Sequence, residues 1–247
     1  MNLNTLPSQP IQPTQPKVED EKKEKVKVDY YVKFSFMITY ILLLTTATVT
    51  FIEAMRTPVP HVRHIFNLET CISLVAGYFY SLFVDKINKA EGTNLGIDWS
   101  DISKLRYIDW SITTPFMLLV LIIVLSDNIK KDINIFTYFI ILILNYLMLY
   151  AGYLGESQAI SRVLGLVLGF IAFFAMFYFI YVNFVQPKYV LSNYIFFGTY
   201  LAIWSIYGIV YMVKEEYKNI VMNILDLTSK CFVGLGLWLF YTKILHA

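Results

Sequence analysis

Two charged pairs sit where an apolar sequence should not hold charge. In Asn223-Ile224-Leu225-Asp226-Leu227-Thr228-Ser229-Lys230 an amine lies inside the last apolar stretch of the chain. A lone Lys at the centre of a membrane helix costs roughly 2.5–3.5 kcal/mol even on the lenient insertion scale, so something must neutralise it or use it. Asp226 stands four residues earlier, on the same face of a helix. A buried amine beside a carboxylate can hold a carbonyl ligand as a protonated Schiff base. The second pair lies in Arg106-Tyr107-Ile108-Asp109-Trp110-Ser111-Ile112-Thr113-Thr114-Pro115. Arg106, Asp109 and Thr113, spaced three and four apart, share one helical face and are the residue types that line an ion or proton path. Pro115 frees one backbone carbonyl, which a neighbouring hydroxyl can satisfy.

These groups need a scaffold that spans a membrane, and the composition supplies one. Of 247 residues, 57% are apolar, 17% aromatic and only 15% charged, and the mean hydropathy is +0.57. Soluble domains carry about 25% charged residues. A net charge of +2 gives no reason to expect a nucleic-acid partner. Cys71 and Cys231 both fall in apolar stretches, so no disulfide is expected. No cluster of metal-ligating residues is expected either.

A spanning helix needs about 20 mostly apolar residues. Seven stretches qualify, at about 32–55, 62–84, 104–125, 134–154, 161–184, 192–213 and 219–243. The expected fold is an all-α integral membrane protein, a seven-transmembrane helix bundle over residues 32–247. Residues 1–31 read as a disordered polar N-terminal tail, because they are Pro/Gln-rich and then mixed in charge. The longest joint is expected at about 85–103, with Gly92, Gly96 and four acidic residues. Arg56 and Arg63 flank the first joint and favour a cytoplasmic position for it. That puts the N-terminus outside and the C-terminus in the cytoplasm. Six lysines up to Lys33 argue the other way, and the short joints are given more weight.

Arg-Tyr-x-Asp-Trp-x-x-Thr-Thr-Pro on the third helix, with Asp-x-x-x-Lys on the seventh, resembles microbial (type 1) rhodopsins over about residues 30–245. The resemblance implies all-trans retinal bound to Lys230 as a protonated Schiff base. It implies Asp109 as counter-ion and proton acceptor, Asp226 as second counter-ion, Arg106 screening both from the extracellular side, and Thr113 hydrogen-bonded to Asp109. Asn223 resembles the proteorhodopsin-like branch. The implied pocket comprises Trp110, Thr114 and Met117, then Asn145, Met148 and Gly152, then Gly169, and finally Trp204, Tyr207 and Tyr211. Gly208 stands where the family usually has Pro and is expected to disrupt the sixth helix less rigidly. Apolar Met117 suggests green rather than blue absorption.

In outward pumps of this family the proton donor is a carboxylate eleven residues after the acceptor. Here that position is Val120. Aligning Ala76-Gly77-Tyr78-Phe79-Tyr80 with the family's second helix puts Glu69 opposite Val120, as a replacement donor. Glu53, on the first helix, is expected to be a mouth or relay group at the same end. Glutamates on the first two helices are similar to the proton-pumping branch of the giant-virus rhodopsins. The expected activity is therefore light-driven outward proton transport, with no enzymatic turnover. A light-gated cation channel and a photosensor with a slow photocycle are the alternatives. The expected partners are the lipid bilayer, transported protons and further copies of the chain in a homo-oligomer (pentamer or trimer). Lys218 stands near where a release-group Glu is usual, and Glu215 reads as part of a solvated loop.

Overall fold

The computed structural model describes residues 30–91 and 96–245. The tail expected at 1–31 lies outside the described residues except for Tyr30 and Tyr31, which already belong to the first helix. The helices are α1 (Tyr30–Arg56), α2 (Pro60–Ala90), α3 (Trp99–Ile129), α4 (Ile135–Glu156), α5 (Arg162–Ile180), α6 (Leu191–Val210), α7 (Glu215–Asp226) and α8 (Val233–Leu245). A π-helical turn, Tyr181–Val185, extends α5, and a second, Leu227–Phe232, joins α7 to α8 into one span. Among the described residues, seven spans are long and apolar enough to cross a bilayer, so the chain is an integral, multi-pass membrane protein.

Local signals set the ends. Pro60 opens α2 at a position whose N–H needs no partner. Asp98, Asn134 and Ser161 cap α3, α4 and α5, accepting from Asp101 N, Phe136 N and Leu164 N. Lys130 stops α3 in the left-handed region at φ 55°.

The joint expected at 85–103 is shorter in the structure. α2 runs to Ala90 and α3 begins at Trp99. Charge pairs hold these extensions: Lys86 with Asp101, Lys33 with Glu91, and Lys89 with Asp85 at 2.6 Å. Apolarity marks how much helix lies in lipid, whereas hydrogen bonding lets the helix continue past it.

Pro115 lies inside an unbroken α3. The carbonyl it frees, that of Ser111, accepts from Tyr146 Oη of α4 at 3.1 Å. Tyr138 Oη donates to the carbonyl of Pro115 itself at 2.9 Å. Two lipid-side tyrosines thus tie α4 to the proline turn. The expected disruption at Gly208 does not occur, and α6 continues to Val210. The absence of a side chain is used for space instead, since a Cβ there would lie 2.5 Å from the Phe170 ring.

Antiparallel succession puts Arg56 and Asp127 at one end of the bundle, and Glu156, Arg162 and Glu215 at the other. One apolar cluster, including Phe66, Leu121, Val120 and Phe177, fills the Arg56 end. Another, including Phe36, Ala76, Phe83 and Ile102, fills the opposite half. Lys230 is held at mid-bundle between them.

Candidate functional site

The site is built on the π turn of the last span. An extra residue in the turn rotates the rest of the helix about its axis, and such bulges recur at functional sites. Lys230, 1% exposed, points from this turn into the bundle. Its Nζ donates to Asp109 Oδ2 at 2.7 Å and lies 3.5 Å from Asp226 Oδ1. The carboxylates come from α3 and α7, and both are buried.

Their surroundings differ. Asp226 accepts from Tyr207 Oη (2.7 Å), Tyr80 Oη (2.8 Å), Arg106 Nη1 (3.3 Å) and Trp110 Nε1 (3.4 Å). Asp109 Oδ2 accepts from Lys230, and Oδ1 has no hydrogen-bond partner among the described residues. Thr113, expected on the Asp109 side chain, donates instead to the Asp109 main-chain carbonyl at 2.9 Å. In a helix a threonine hydroxyl reaches the carbonyl four residues back without leaving its rotamer. One carboxylate is therefore fully engaged, while the other keeps an oxygen open.

Arg106 closes the site on the Glu156 side. Its guanidinium bonds Tyr80 Oη (3.2 Å), Asn219 Oδ1 (3.3 Å) and Asn223 Oδ1. It also lies 5.1–5.7 Å from the ring centroids of Phe36, Tyr80 and Phe83. Two buried cations face two buried anions, which is how such charges persist in a low dielectric.

A cavity opens beside Lys230. Its wall includes Trp110, Thr114, Met117, Met148, Gly152, Gly169, Trp204, Tyr207 and Tyr211. Nine of the ten pocket residues expected from the sequence thus meet there. Asn145 does not line it. This side chain is fully buried one layer behind, and its Nδ2 donates to Thr114 Oγ1 at 2.9 Å. Residues that the sequence does not single out also line the wall, including Phe170, Phe173, Met222 and Ser229. Individually these are ordinary apolar or small residues, and nothing local distinguishes them. Tyr80 and Asn219 carry no sequence signal for the same reason, since their partners are more than 100 positions away in sequence or on another helix. The wall suits a long conjugated ligand with one reactive end: flat and apolar along its length, with an ion-paired amine to take an aldehyde carbon.

On the Arg56 side of Lys230, Glu69 of α2 is buried at 1% exposure. Gly234, four residues beyond Lys230, makes room for it: a Cβ there would lie 2.9 Å from Glu69 Oε2. No described residue hydrogen-bonds to this carboxyl. Val120 is fully buried in the neighbouring apolar cluster. Glu53 accepts from Trp238 Nε1 of α8 at 3.3 Å.

Glu215 is not in a solvated loop. It begins α7 and pairs with Arg162 of α5 and, at 2.7 Å, with Lys218, which also meets Glu156 of α4 at 2.6 Å. Lys218 is buried, and this network locks three helix ends together. Burial works against the charge on Glu215, but its bonds with Lys218 and Arg162 win and hold its carboxyl below the ordinary carboxylate value. A lowered folded-state value contributes stability above the unfolded value and loses it as pH falls through the folded one. Thermal unfolding followed from neutral to acidic pH checks this. Glu215→Gln should be less stable at neutral pH, and its deficit should vanish towards acid. Parallel curves for variant and parent would refute the lock.

Among the described residues, seven spans surround an ion-paired lysine with a flat apolar cavity beside it, which defines a membrane protein with a ligand-sized pocket at mid-bundle. The bacteriorhodopsin-like protein family matches residues 30–244, and the chain belongs to that family. Its fold is that of the microbial rhodopsins, light-driven pumps and channels whose chromophore is retinal. The viral rhodopsin OLPVRII is 43% identical, with a TM-score of 0.79 over 86% of this chain and 98% of that one. The blue light-absorbing proteorhodopsin from Med12 is 24% identical, with a TM-score of 0.68 over 88% of this chain and 99% of that one. The light-driven proton pump LR (Mac) from Leptosphaeria maculans is 17% identical, with a TM-score of 0.68 over 88% of this chain and 98% of that one. The last two show the fold alone. No curated protein sequence matches the chain.

Proposed function

We propose that this protein is a light-driven outward proton pump. Its cofactor is all-trans retinal, carried on Lys230 as a protonated Schiff base. The observation that carries the reading is the asymmetry about Lys230. A carboxylate with an open oxygen lies 2.7 Å away on one side, and a buried glutamate lies one turn on towards the other end. Bound on Lys230 among Trp110, Trp204 and Tyr207, retinal would supply light absorption and a light-driven change of shape.

The remaining steps belong to the chain. The Lys230 nitrogen gives its proton to Asp109, whose free Oδ1 can hold it without displacing another donor. Asp226 stays charged, because accepting a proton would cost it one of four hydrogen bonds. Arg106, no longer facing two anions, shifts towards Asn219 and the Glu156 end, and a proton leaves on that side. Glu69 then reprotonates the Lys230 nitrogen from the Arg56 side, and Glu53 supplies the mouth. Arg56 and Arg63, which flank the first joint, favour a cytoplasmic Arg56 end, so the N-terminus is extracellular and the C-terminus cytoplasmic. Function in a homo-oligomer, pentamer or trimer, is consistent with the many large apolar side chains exposed on the bundle, such as Phe139, Ile171 and Phe174.

The deciding assay illuminates cells in unbuffered medium and records external pH with and without a protonophore. Acidification abolished by the protonophore is expected. No acidification, or clamp currents that reverse with the cation gradient, would overturn the reading.

A further inference from the structure

The mechanism leaves one hydroxyl near Lys230 unused. Ser73 of α2 is fully buried, and its Oγ has no hydrogen-bond partner among the described residues. The hydroxyls around it are committed. Thr46, Thr50 and Thr70 donate to the main-chain carbonyls four residues back, and Thr113 does the same on α3. Ser73 makes no such bond with the carbonyl of Glu69. A buried hydroxyl left without a partner is costly. Glu69 itself, one turn back on the same helix, is equally buried, and no described residue bonds its carboxyl.

Two contacts fix how α2 lies against the last span. Tyr80 Oη reaches Asn223 Oδ1 (3.0 Å) and Asp226 Oδ2 (2.8 Å), and Glu69 Oε2 lies against Gly234. Ser73 falls between Glu69 and Tyr80 on α2, and Lys230 falls midway between Asp226 and Gly234 on the last span. Ser73 and Lys230 therefore occupy one layer, and α2 packs directly on the π turn that carries Lys230. Glu69, Ser73, Ala76 and Tyr80, spaced four, three and four apart, share the face of α2 that meets this span. α1 supplies a second register. Thr50 pairs with Thr70, and Leu44 lies against Gly77, so Ala47 is level with Ser73. Ala47 and Ala76 are buried and end at Cβ, which leaves small side chains around the Ser73 hydroxyl. Ser73 stands about 6 Å along α2 from Glu69, at roughly 1.5 Å per residue, in the direction of the Lys230 nitrogen.

We propose that Ser73 Oγ holds one internal water between Glu69 and the Lys230 nitrogen, and that proton return runs through this water. A buried water needs roughly two polar partners or more, and Ser73 and Glu69 provide them. The water gives a proton to the nitrogen while it takes the proton of the Glu69 carboxyl. Glu69 ends as a carboxylate, the nitrogen ends protonated, and the water is unchanged. Ser73 keeps its own proton and acts as a positioning residue that holds the water in line. The inference rests on the reading of Glu69 as internal donor.

The test uses full-length, retinal-loaded protein in liposomes, comparing the parent with Ser73→Ala. Time-resolved visible absorption follows loss of the proton from the Lys230 nitrogen and its return. Ser73→Ala should slow the return about tenfold, a part of what a positioned acid contributes. The resting band and the first proton loss should keep the parent's values, because the water lies on the Glu69 side. Azide, a small weak acid that can carry protons to the nitrogen unaided, should restore the return in Ser73→Ala. A high-resolution structure of the parent should show ordered water bonded to Ser73 Oγ, and that of Ser73→Ala should lack it. Parent-like return in Ser73→Ala, slow return that azide does not restore, or a dry Ser73 hydroxyl in the parent would each overturn the inference. Glu69→Gln, measured in parallel, separates the two readings. Slow return there beside parent-like return in Ser73→Ala overturns the water and leaves the donor. Parent-like return in Glu69→Gln removes Glu69 as donor, while slow return in Ser73→Ala would still report the water.

Discussion

Asp109→Asn should abolish light-driven acidification while leaving a coloured protein. The carboxylate is the direct partner of Lys230, at 2.7 Å. Asparagine keeps the shape and a carbonyl acceptor but cannot take a proton. Asp226 cannot replace it, since its two oxygens already accept from Tyr207, Tyr80, Arg106 and Trp110. Removing one partner of a buried ion pair typically costs about 3–5 kcal/mol. Asp226, 3.5 Å from Lys230, should reduce that loss enough for the protein to fold. The visible band should move to longer wavelength, because a negative charge beside the chromophore nitrogen stabilises the ground state most. Acidification and the absorption spectrum, recorded on the same preparation, check both points. Undiminished acidification in the variant would remove Asp109 as acceptor.

Glu69→Gln carries the second large effect. A positioned general acid contributes roughly 10²–10⁴-fold to a proton transfer, so return of the proton to the Lys230 nitrogen should slow by about that factor. Initial proton loss to Asp109 should keep its rate, because Glu69 lies on the other side of Lys230. Steady pumping would fall in proportion. Glu69→Asp should recover part of the rate, since it retains an acid but withdraws it by one methylene. Gly234→Ala offers a check that keeps the carboxyl: a Cβ placed 2.9 Å from Oε2 must displace it, so an intermediate slowing is expected. Time-resolved absorption at several pH values measures all three. A Glu69→Gln variant with the parent's recovery would make Glu69 structural.

Much of this was readable along the chain, for reasons that differ from residue to residue. Asp226 and Lys230 stand one turn apart, so the sequence alone makes them partners. Arg106 and Asp109 share a face by the same rule. Span lengths follow from bilayer thickness, and the structure differs mainly at 85–103, where ion pairs prolong α2 and α3. Asn145 shows the opposite case: it faces inward as its position implies, but Thr114 stands between it and the cavity. Thr113 chose a backbone carbonyl over the carboxylate, a competition within one helix turn that residue types do not settle. Glu215 reads as part of a solvated loop, and Lys218 as standing at a release-group position, because their partners, Arg162 and Glu156, lie on other helices.

What the sequence by itself determined is the inventory: seven apolar spans, an amine that must be neutralised, two carboxylates and an arginine at helical spacing, and glutamates on the first two helices. Hydrophobic length and helical periodicity are local properties, so they survive without coordinates. The tertiary structure decided which carboxylate is saturated and which is open, because those donors come from α2, α3 and α6. It also supplied the π turn beneath Lys230, the space that Gly234 leaves for Glu69, and the register that brings Ser73 level with Lys230. Each depends on how helices distant in sequence pack against one another, and packing between helices is not encoded in any single stretch of the chain.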